Sequence, residues 1–197
     1  MKFTQIPVNT FKEIQLNAGV LLSEFTPSTA TLSASNIIGA TSGGVNFAAT
    51  PEFTDFAEDI DNAPKNMKEF KKLDNWTVTM SGTFVSVTPA LGKTLVGAGA
   101  IDATDQTKIV PRNDLDLTDF SDIWWVGDYS DKTGSTNGGF VAIHMLNALS
   151  TGGFQIQSND KAKGTFNFEF TGHYSNASQD VVPFEVYIKA GTNEPGN

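Results

Sequence analysis

The sequence of 197 residues has no cysteine, so it can form neither a disulfide bond nor a thiolate metal site, which fits an intracellular origin. It also lacks any apolar run long enough for a signal peptide or a membrane span, and we expect no membrane association. Arginine occurs once, at Arg112, and 13 basic residues stand against 22 acidic ones, giving a net charge of −9. Tight nucleic-acid binding is therefore not expected, because it requires Lys and Arg to neutralise phosphates.

Signatures of catalysis and cofactor binding are scarce as well. Residues 92–94 (GKT) match the end of a phosphate-binding loop, but Val87 stands where that loop needs its first glycine. Four aspartates between residues 114 and 122 lack the spacing and the central glycine of a calcium-binding loop. His144 and His173, the only histidines, have no metal-ligand spacing. We expect no cofactor, no metal and no enzymatic activity.

What the sequence does contain is a composition typical of β-sheets, with 15 phenylalanines and 18 glycines that punctuate the chain. Strands are predicted within 13–25, over 75–88 and over 122–129. Residues 138–153 fit either a helix, with Val141, Met145 and Leu149 on one side, or a strand, which the flanking glycine pairs favour. In the strand over 75–88, the apolar phase is expected to switch to Val85 and Val87 beyond Gly82, which suggests a bulge. Thr88 and Pro89 form a helix start, and the apolar stripe that follows predicts one helix over about 89–100.

The clearest alternation of apolar and polar residues lies between residues 154 and 171. It predicts a hairpin with one apolar and one polar face, and a similar pattern predicts a strand over 183–189 with Phe184, Val186 and Ile188 inward. The inward residues of the hairpin are predicted to be Phe154, Ile156, Phe166, Phe168 and Phe170. The polar residues are Gln155, Gln157, Asn167, Glu169 and Thr171.

Residues 41–75 separate into an acidic block followed by a basic block, and we predict a long inter-strand loop there. Loops of this length are uncommon in compact domains unless they have a function. The two blocks can pair within the loop or reach a neighbouring molecule, and a solvated surface loop is the plainer alternative. The acidic residues are Glu52, Asp55, Glu58, Asp59 and Asp61, and the basic ones are Lys65, Lys68, Lys71 and Lys72.

Several phrases of this sequence, among them GATSGG, EDIDNAPKN, KIVPRNDLDLTDFSDIWWVGDYSD and GTFNFEFTGHYS, resemble the major tail proteins of long-tailed bacteriophages. The likeness covers roughly residues 15–190. It implies a mainly β (α+β) fold in which two packed antiparallel sheets, sandwich-like or barrel-like, are flanked by one α-helix. It further implies hexameric rings that stack, through an N-terminal arm and a long loop, into a tube for DNA ejection.

The resemblance implies one tail-tube domain over residues 1–197. Its parts are an N-terminal arm with the first strand (1–40), the long loop (41–75), a β core with the helix (76–190) and a loose tail (191–197). The implied partners are further copies of the chain and the tape-measure, tail-terminator and distal tail proteins, with DNA passing through unbound. The implied location is the virion tail, assembled in the host cytoplasm.

We hypothesise that some of the five polar hairpin residues face the lumen of that tube; alternatively, this face packs on another sheet or meets outer solvent. A first rival function is a carbohydrate-binding β-sandwich in which Trp124, Trp125 and Tyr129 stack on sugars. A second is a hydrolase that uses His144 or His173. A tube subunit of a contractile tail or of a secretion system is the nearest variant.

Overall fold

The computed structural model describes residues 6–7, 10, 13–129 and 139–190, so the predicted loose tail at 191–197 lies outside the described residues. Those residues form ten β-strands and one α-helix. The first five strands are β1 (Gln15–Leu22), β2 (Ile37–Gly39), β3 (Thr41–Asp55), β4 (Lys71–Phe84) and β5 (Gly99–Ile101). The others are β6 (Ile109–Pro111), β7 (Ser121–Tyr129), β8 (Phe140–Ser150), β9 (Phe166–Gly172) and β10 (Phe184–Lys189), and the helix is α1 (Pro89–Val96).

The predicted mainly β architecture with two antiparallel sheets and one helix is confirmed. The large sheet has eight strands in the order β2-β1-β7-β8-β9-β4-β3, with β10 pairing to β8 beside this path. The second sheet is the two-stranded β5-β6 ribbon next to α1. The strands predicted at 122–129 and near 138–153 are confirmed as β7 and β8.

Strand β8 divides the large sheet into two layers. Its residues 140–145 pair with β10, whereas its residues 148–150 pair with β9. One layer is therefore β2-β1-β7-β8-β10 and the other is β9-β4-β3. The inner faces of both layers and α1 share a core, which consists of Leu21, Val78, Met80, Phe84, Leu91, Leu95, Ile123, Met145, Ala148, Phe166, Phe168 and Phe170.

A second, smaller core covers the outer face of the first layer. It contains Leu22, Phe25, Trp124, Val126, Phe140 and Ala142. The loop between β1 and β2 contributes Phe25, whose ring meets those of Trp124 and Phe140 edge-on at 5.6 and 5.3 Å between centroids. Strands β7 and β8 are consequently buried on both faces, which explains their nearly continuous apolar sequence.

Helix α1 begins as predicted but ends earlier than the expected residue 100. The backbone N–H of Leu91 donates to Oγ1 of Thr88 at 3.2 Å, so Thr88 caps the helix. The helix ends at Val96 because Gly97 adopts a φ of +78°, and Gly99 already opens β5.

The predicted change of apolar phase in the strand over 75–88 is wrong. Phe84 is fully buried and continues the phase of Val78 and Met80, and β4 ends there. The irregularity lies on the neighbouring strand instead, where the register of β3 against β4 shifts between Thr41 and Val45. Two consecutive glycines in that interval have φ of +81° and +84°, a conformation that suits glycine.

The predicted loop over 41–75 is also wrong in most of its length. Residues 41–55 and 71–84 pair as a long hairpin, and only residues 56–70 connect its strands. The polar composition of 50–55 and the proline at 51 are typical of loops, but Pro51 stands on β3, an edge strand that pairs only with β4 among the described strands.

Two details of the alternating segments need correction. Residues 154–157 form no strand; only an isolated bridge joins Gln157 to Thr165, and β9 pairs with β4 and β8 instead. Phe154 and Ile156 are consequently 45% and 62% exposed rather than inward. On β10, Phe184 is half-buried as predicted, but Val186 and Ile188 are exposed.

Candidate assembly surface

The part of the β3–β4 hairpin beyond residue 51, which we call the distal hairpin (residues 52–75), projects past the two-layer core. Strand β9 covers β4 only along residues 78–84, so the distal hairpin pairs only with itself. The last side chain of β4 that meets the other layer is Trp76, whose ring lies 5.4 Å from that of Phe184.

Large apolar side chains of the distal hairpin are left uncovered. They are between 37% and 56% exposed, and they are Phe53, Phe56, Ile60, Phe70 and Leu73. Phe53 pairs with Leu73 across the ladder, so the two side chains lie on the same face. Pro51, two residues before Phe53 on β3, pairs with Trp76, and the register shift at Glu52/Phe53 therefore places Trp76 on that face as well. A local apolar cluster on a projecting ribbon is characteristic of an interaction surface.

The turn of the distal hairpin is ordered mainly by hydrogen bonds, and Ala57 is its one buried residue. The carboxylate of Asp55 accepts the backbone N–H groups of Ala57 at 3.0 Å and of Asn66 at 2.8 Å. These bonds stabilise the charged form and hold the pKa of Asp55 below its ordinary value. The backbone N–H of Phe56 also donates to the carbonyl of Phe70 at 3.0 Å, which closes the base of the turn.

The two charge blocks form no ion pair with each other in the described part of the chain, although the charges of Lys71 and Lys65 contribute to the lowered pKa of Asp55. The ion pairs that the structure places here join Lys68 to Glu69 at 3.5 Å and Lys72 to Asp74 at 3.8 Å, both with carboxylates outside the acidic block. Lys71 donates to Oδ1 of Asn66 at 2.9 Å and lies 6.0 Å from the ring centre of Phe53. In the described part of the chain, therefore, no ion pair links the acidic to the basic block.

The remaining charged residues of the predicted long loop, which the resemblance assigns to ring stacking, make few contacts within the chain. Glu52 accepts the hydroxyl of Thr77 at 2.9 Å on the opposite face of the hairpin. The other members have no side-chain hydrogen bond or ion pair within the described residues; they are Glu58, Asp59, Asp61 and Lys65. The structure thus brings the charged residues together on one projection, and several of them have no hydrogen-bond or ion-pair partner within the described residues.

The outer face of the β9-β4-β3 layer is polar, and the residues of the three strands that form it, named below, include no basic side chain. Three predicted lumen residues, Asn167, Glu169 and Thr171, lie on this face of β9, opposite the buried phenylalanines. Thr83 donates to Asn167 at 3.1 Å, and the hydroxyls of Thr151 and Thr171 are 2.8 Å apart. The face continues onto β4 and β3 through Thr77, Thr79, Ser81, Thr83, Asn46, Thr50 and Glu52.

Sequence reasoning did not assign those seven residues to the lumen. Alternation with buried positions marks the four on β4 as lying on one polar face, but their place beside β9 follows only from the register. The other two predicted lumen residues are not on the face. Gln155 donates to the carbonyl of Gly152 at 2.8 Å, and Gln157 bridges to Thr165, both in an irregular segment.

The tryptophans proposed as a sugar platform take part in internal packing. Trp124 is 7% exposed and stacks on His144 with 3.9 Å between ring centroids. Trp125 donates its indole N–H to the carbonyl of Ala18 at 3.1 Å. The side chain of Tyr129 lies outside the described residues.

The histidines contact neither a serine nor a threonine hydroxyl among the hydrogen bonds of the described residues. His144 lies between Asp122 and Glu185, and Nδ1 of His173 is 3.2 Å from the carbonyl of Asn147. Searching the described residues finds no group of three or more His, Cys, Asp or Glu side chains that could hold a metal ion. None of the helices there is both long enough and apolar enough for a membrane span.

The aspartates between residues 114 and 122 order the chain locally. Asp116 and Asp119 form a capping box around the short 3-10 helix at 117–119. Asp119, almost fully buried, also accepts two hydrogen bonds from the guanidinium of Arg112 at 2.6 and 2.5 Å. The single arginine is therefore committed to an internal ion pair.

Comparison with known proteins gives little further guidance. No family model and no curated protein matches the sequence. Among solved structures, one similar chain belongs to a structure described as the virion of a native gene transfer agent (GTA) particle. The similarity extends over 88% of this chain and 96% of that chain, with 7% sequence identity and a TM-score of 0.43. A likeness at this level assigns neither a family nor a function.

Proposed function

We propose that this chain is a non-enzymatic structural subunit of a phage-like virion, and that its copies form stacked hexameric rings that build a tail tube for DNA ejection. The observation that carries the proposal is the distal hairpin, an ordered ribbon with uncovered apolar side chains and unpaired charges. The ring size and the tube come from the resemblance of the sequence to major tail proteins.

The distal hairpin supports self-association for an energetic reason. A two-stranded ribbon is marginally stable in water by itself, and exposed apolar side chains such as Phe53 and Leu73 add nothing to the fold until they are covered. Each copy also carries both an acidic and a basic block, so a second copy offers the complementary charges. The free edge of β3 leads to the same conclusion, because a closed ring pairs or covers such edges.

The polar outer face of the β9-β4-β3 layer suits the wall of a DNA channel. Its side chains are hydroxyls, amides and the carboxylates of Glu52 and Glu169, which do not attract phosphate. We assign this face to the lumen, so that DNA passes without specific binding. Gln155 and Gln157 stand apart from it and are not needed for that role.

The remaining parts of the proposal follow from a tail-tube role. The partners would be tape-measure, tail-terminator and distal tail proteins, and the protein would reside in the virion tail after assembly in the host cytoplasm. A tube subunit of a contractile tail would use the same surfaces.

The proposal is tested by negative-stain microscopy of the purified protein at rising concentration. We expect rings or tubes of uniform width. In a Phe53→Ser/Leu73→Ser variant we expect them to disappear, because the variant removes the apolar pair on the ladder of the distal hairpin while the core is untouched.

Leu115→Ser is the matched control, since Leu115 is 53% exposed and Phe53 54% exposed, but Leu115 lies off the hairpin. We expect the control to assemble like the unmodified chain. A monomer at every concentration in light scattering would contradict self-assembly. Tubes in the double variant would show that the distal hairpin is not the contact.

A further inference from the structure

His144 lies at the centre of a charged cluster that joins three strands on the outer side of the first layer. Its Nε2 is 3.1 Å from Oδ2 of Asp122 on β7, and its Nδ1 is 3.3 Å from Oε2 of Glu185 on β10. The imidazole side chain is only 13% exposed, whereas the two carboxylate side chains are about half exposed, at 46% and 49%. The cluster therefore spans β8 and connects its two neighbours.

Only the doubly protonated ring can donate a hydrogen bond to both carboxylates. Both ring nitrogens face a carboxylate oxygen, and a neutral imidazole leaves one lone pair against an anion. The indole of Trp124 lies parallel to the imidazole, with 8° between the planes, and the face of an indole attracts a cation.

The neighbouring groups keep both carboxylates in place. The hydroxyl of Tyr187 donates to Oε2 of Glu185 at 2.6 Å, and this bond, followed by the contact with His144, lowers the pKa of Glu185. The same bond raises the pKa of Tyr187, so the phenol stays neutral. Asp122 is fixed by the backbone N–H of Asn147, which donates to its Oδ1 at 3.0 Å.

The next charged side chain of β10, Lys189, lies 6.0 Å from the ring centre of Phe140, at the far end of the strand. The loop over the outer face contributes the aromatic ring of Phe25 beside Trp124.

We propose that His144 is a pH-sensitive clamp on the edge strand β10, which its charged form ties to β7 across β8 and its neutral form releases. Strand β10 pairs only with β8 among the described strands, so the clamp is a second attachment for this strand. This inference does not depend on the proposed function, since it concerns the attachment of β10 within one chain.

The direction of the pH dependence follows from the charges. The stabilisation from His144 is present while the ring carries both protons and is lost when a rising pH removes one of them. At acidic pH, protonation of the Glu185 carboxylate weakens the attachment of β10. Because its folded pKa is lowered, its contribution is present above its unfolded pKa and is lost as the pH falls through the folded value.

The test is hydrogen exchange of residues 184–189, measured by mass spectrometry at about pH 5.5 and about pH 8 and corrected for intrinsic exchange rates. Residues 166–172 of β9 are the internal reference for global opening and for assembly. We expect the protection of β10 relative to β9 to fall on the order of tenfold at the higher pH. In His144→Gln we expect this pH response to vanish.

His173→Gln is the matched control and should keep the response of the unmodified chain, since His173 contacts no carboxylate among the described residues. Glu185→Gln provides a second variant, which removes the negative charge opposite Nδ1 of His144 while leaving the contact between His144 and Asp122, and it too should lose most of the response. Equal protection at both pH values in the unmodified chain would overturn the clamp. So would an unchanged response in His144→Gln or in Glu185→Gln.

Discussion

The near and far halves of the β3–β4 hairpin belong to one continuous ladder but differ in what covers them. In the near half, Val78, Met80 and Phe84 of β4 are fully buried, and β9 pairs along the other side of the strand. In the distal hairpin, Phe53 and Leu73 pair in the same ladder, yet both remain about half exposed. The difference arises from the opposite, first layer, which ends near the contact of Trp76 with Phe184 of β10.

This comparison separates two uses of apolar residues within one pair of strands. The near half stabilises the fold, because its apolar side chains are removed from water. The distal hairpin keeps its shape through the ladder and through the turn around Asp55, and its apolar residues contribute little to the stability of the single chain. Apolar surface that a fold retains without burying it is available for a partner.

The largest expected effect comes from truncating one phenylalanine in each half. Phe84→Ala should lower the free energy of unfolding by about 3–5 kcal/mol, because it removes a fully buried ring and leaves a cavity. Phe53→Ala should change it by about 0.5 kcal/mol or less, since the ring is already largely in water. Urea denaturation of both variants under identical conditions measures the difference.

A loss of several kcal/mol in Phe53→Ala would break the comparison. It would mean that the distal hairpin is part of the cooperative core even though its side chains are exposed.

A second contrast uses ion pairs and should give a slightly smaller effect. Arg112→Ala leaves the carboxylate of Asp119 buried without its partner and should cost about 3 kcal/mol. Lys72→Ala removes the same charge from an exposed pair on the distal hairpin, and it should cost about 0.5 kcal/mol or less. Chemical denaturation at low and high salt is the measurement, and comparable losses in the two variants would contradict the assignment of the hairpin as uncovered surface.

Sequence reasoning succeeded where burial imposes a local pattern. The alternation around Val78 and Met80 and the three phenylalanines of β9 mark strands because one face of each is buried. The helix start at Thr88 and Pro89 was equally readable, since capping depends only on adjacent residues.

It failed where structure depends on distant partners. Residues 52–55 form a strand without a buried face, so no apolar period announces it, and Phe154 with Ile156 shows the period but finds no partner strand. The charged set of the candidate surface was recognised from composition, but the hydroxyls of Thr79 and Ser81 joined the polar face only through register. His144 contacts Asp122, which lies 22 positions earlier in the chain, and Glu185, which lies 41 positions later. No local sequence pattern reveals contacts at this separation.

The smallest expected effect concerns Asp55, which tests whether the distal hairpin is held by its turn rather than by burial. Asp55→Ala removes the acceptor for two backbone N–H groups and should raise the rate of proteolytic cleavage within residues 56–70 on the order of fivefold, without moving the urea midpoint. Because its folded pKa is lowered, the ordering by Asp55 should be present above its unfolded pKa and be lost as the pH falls through the folded value.

Glu58→Ala is the control, since Glu58 has no ion-pair or hydrogen-bond partner within the described residues, and it should leave the cleavage rate unchanged. A shift of the urea midpoint in Asp55→Ala would show that the turn is coupled to the core, and the two halves of the hairpin would then be a single stability unit.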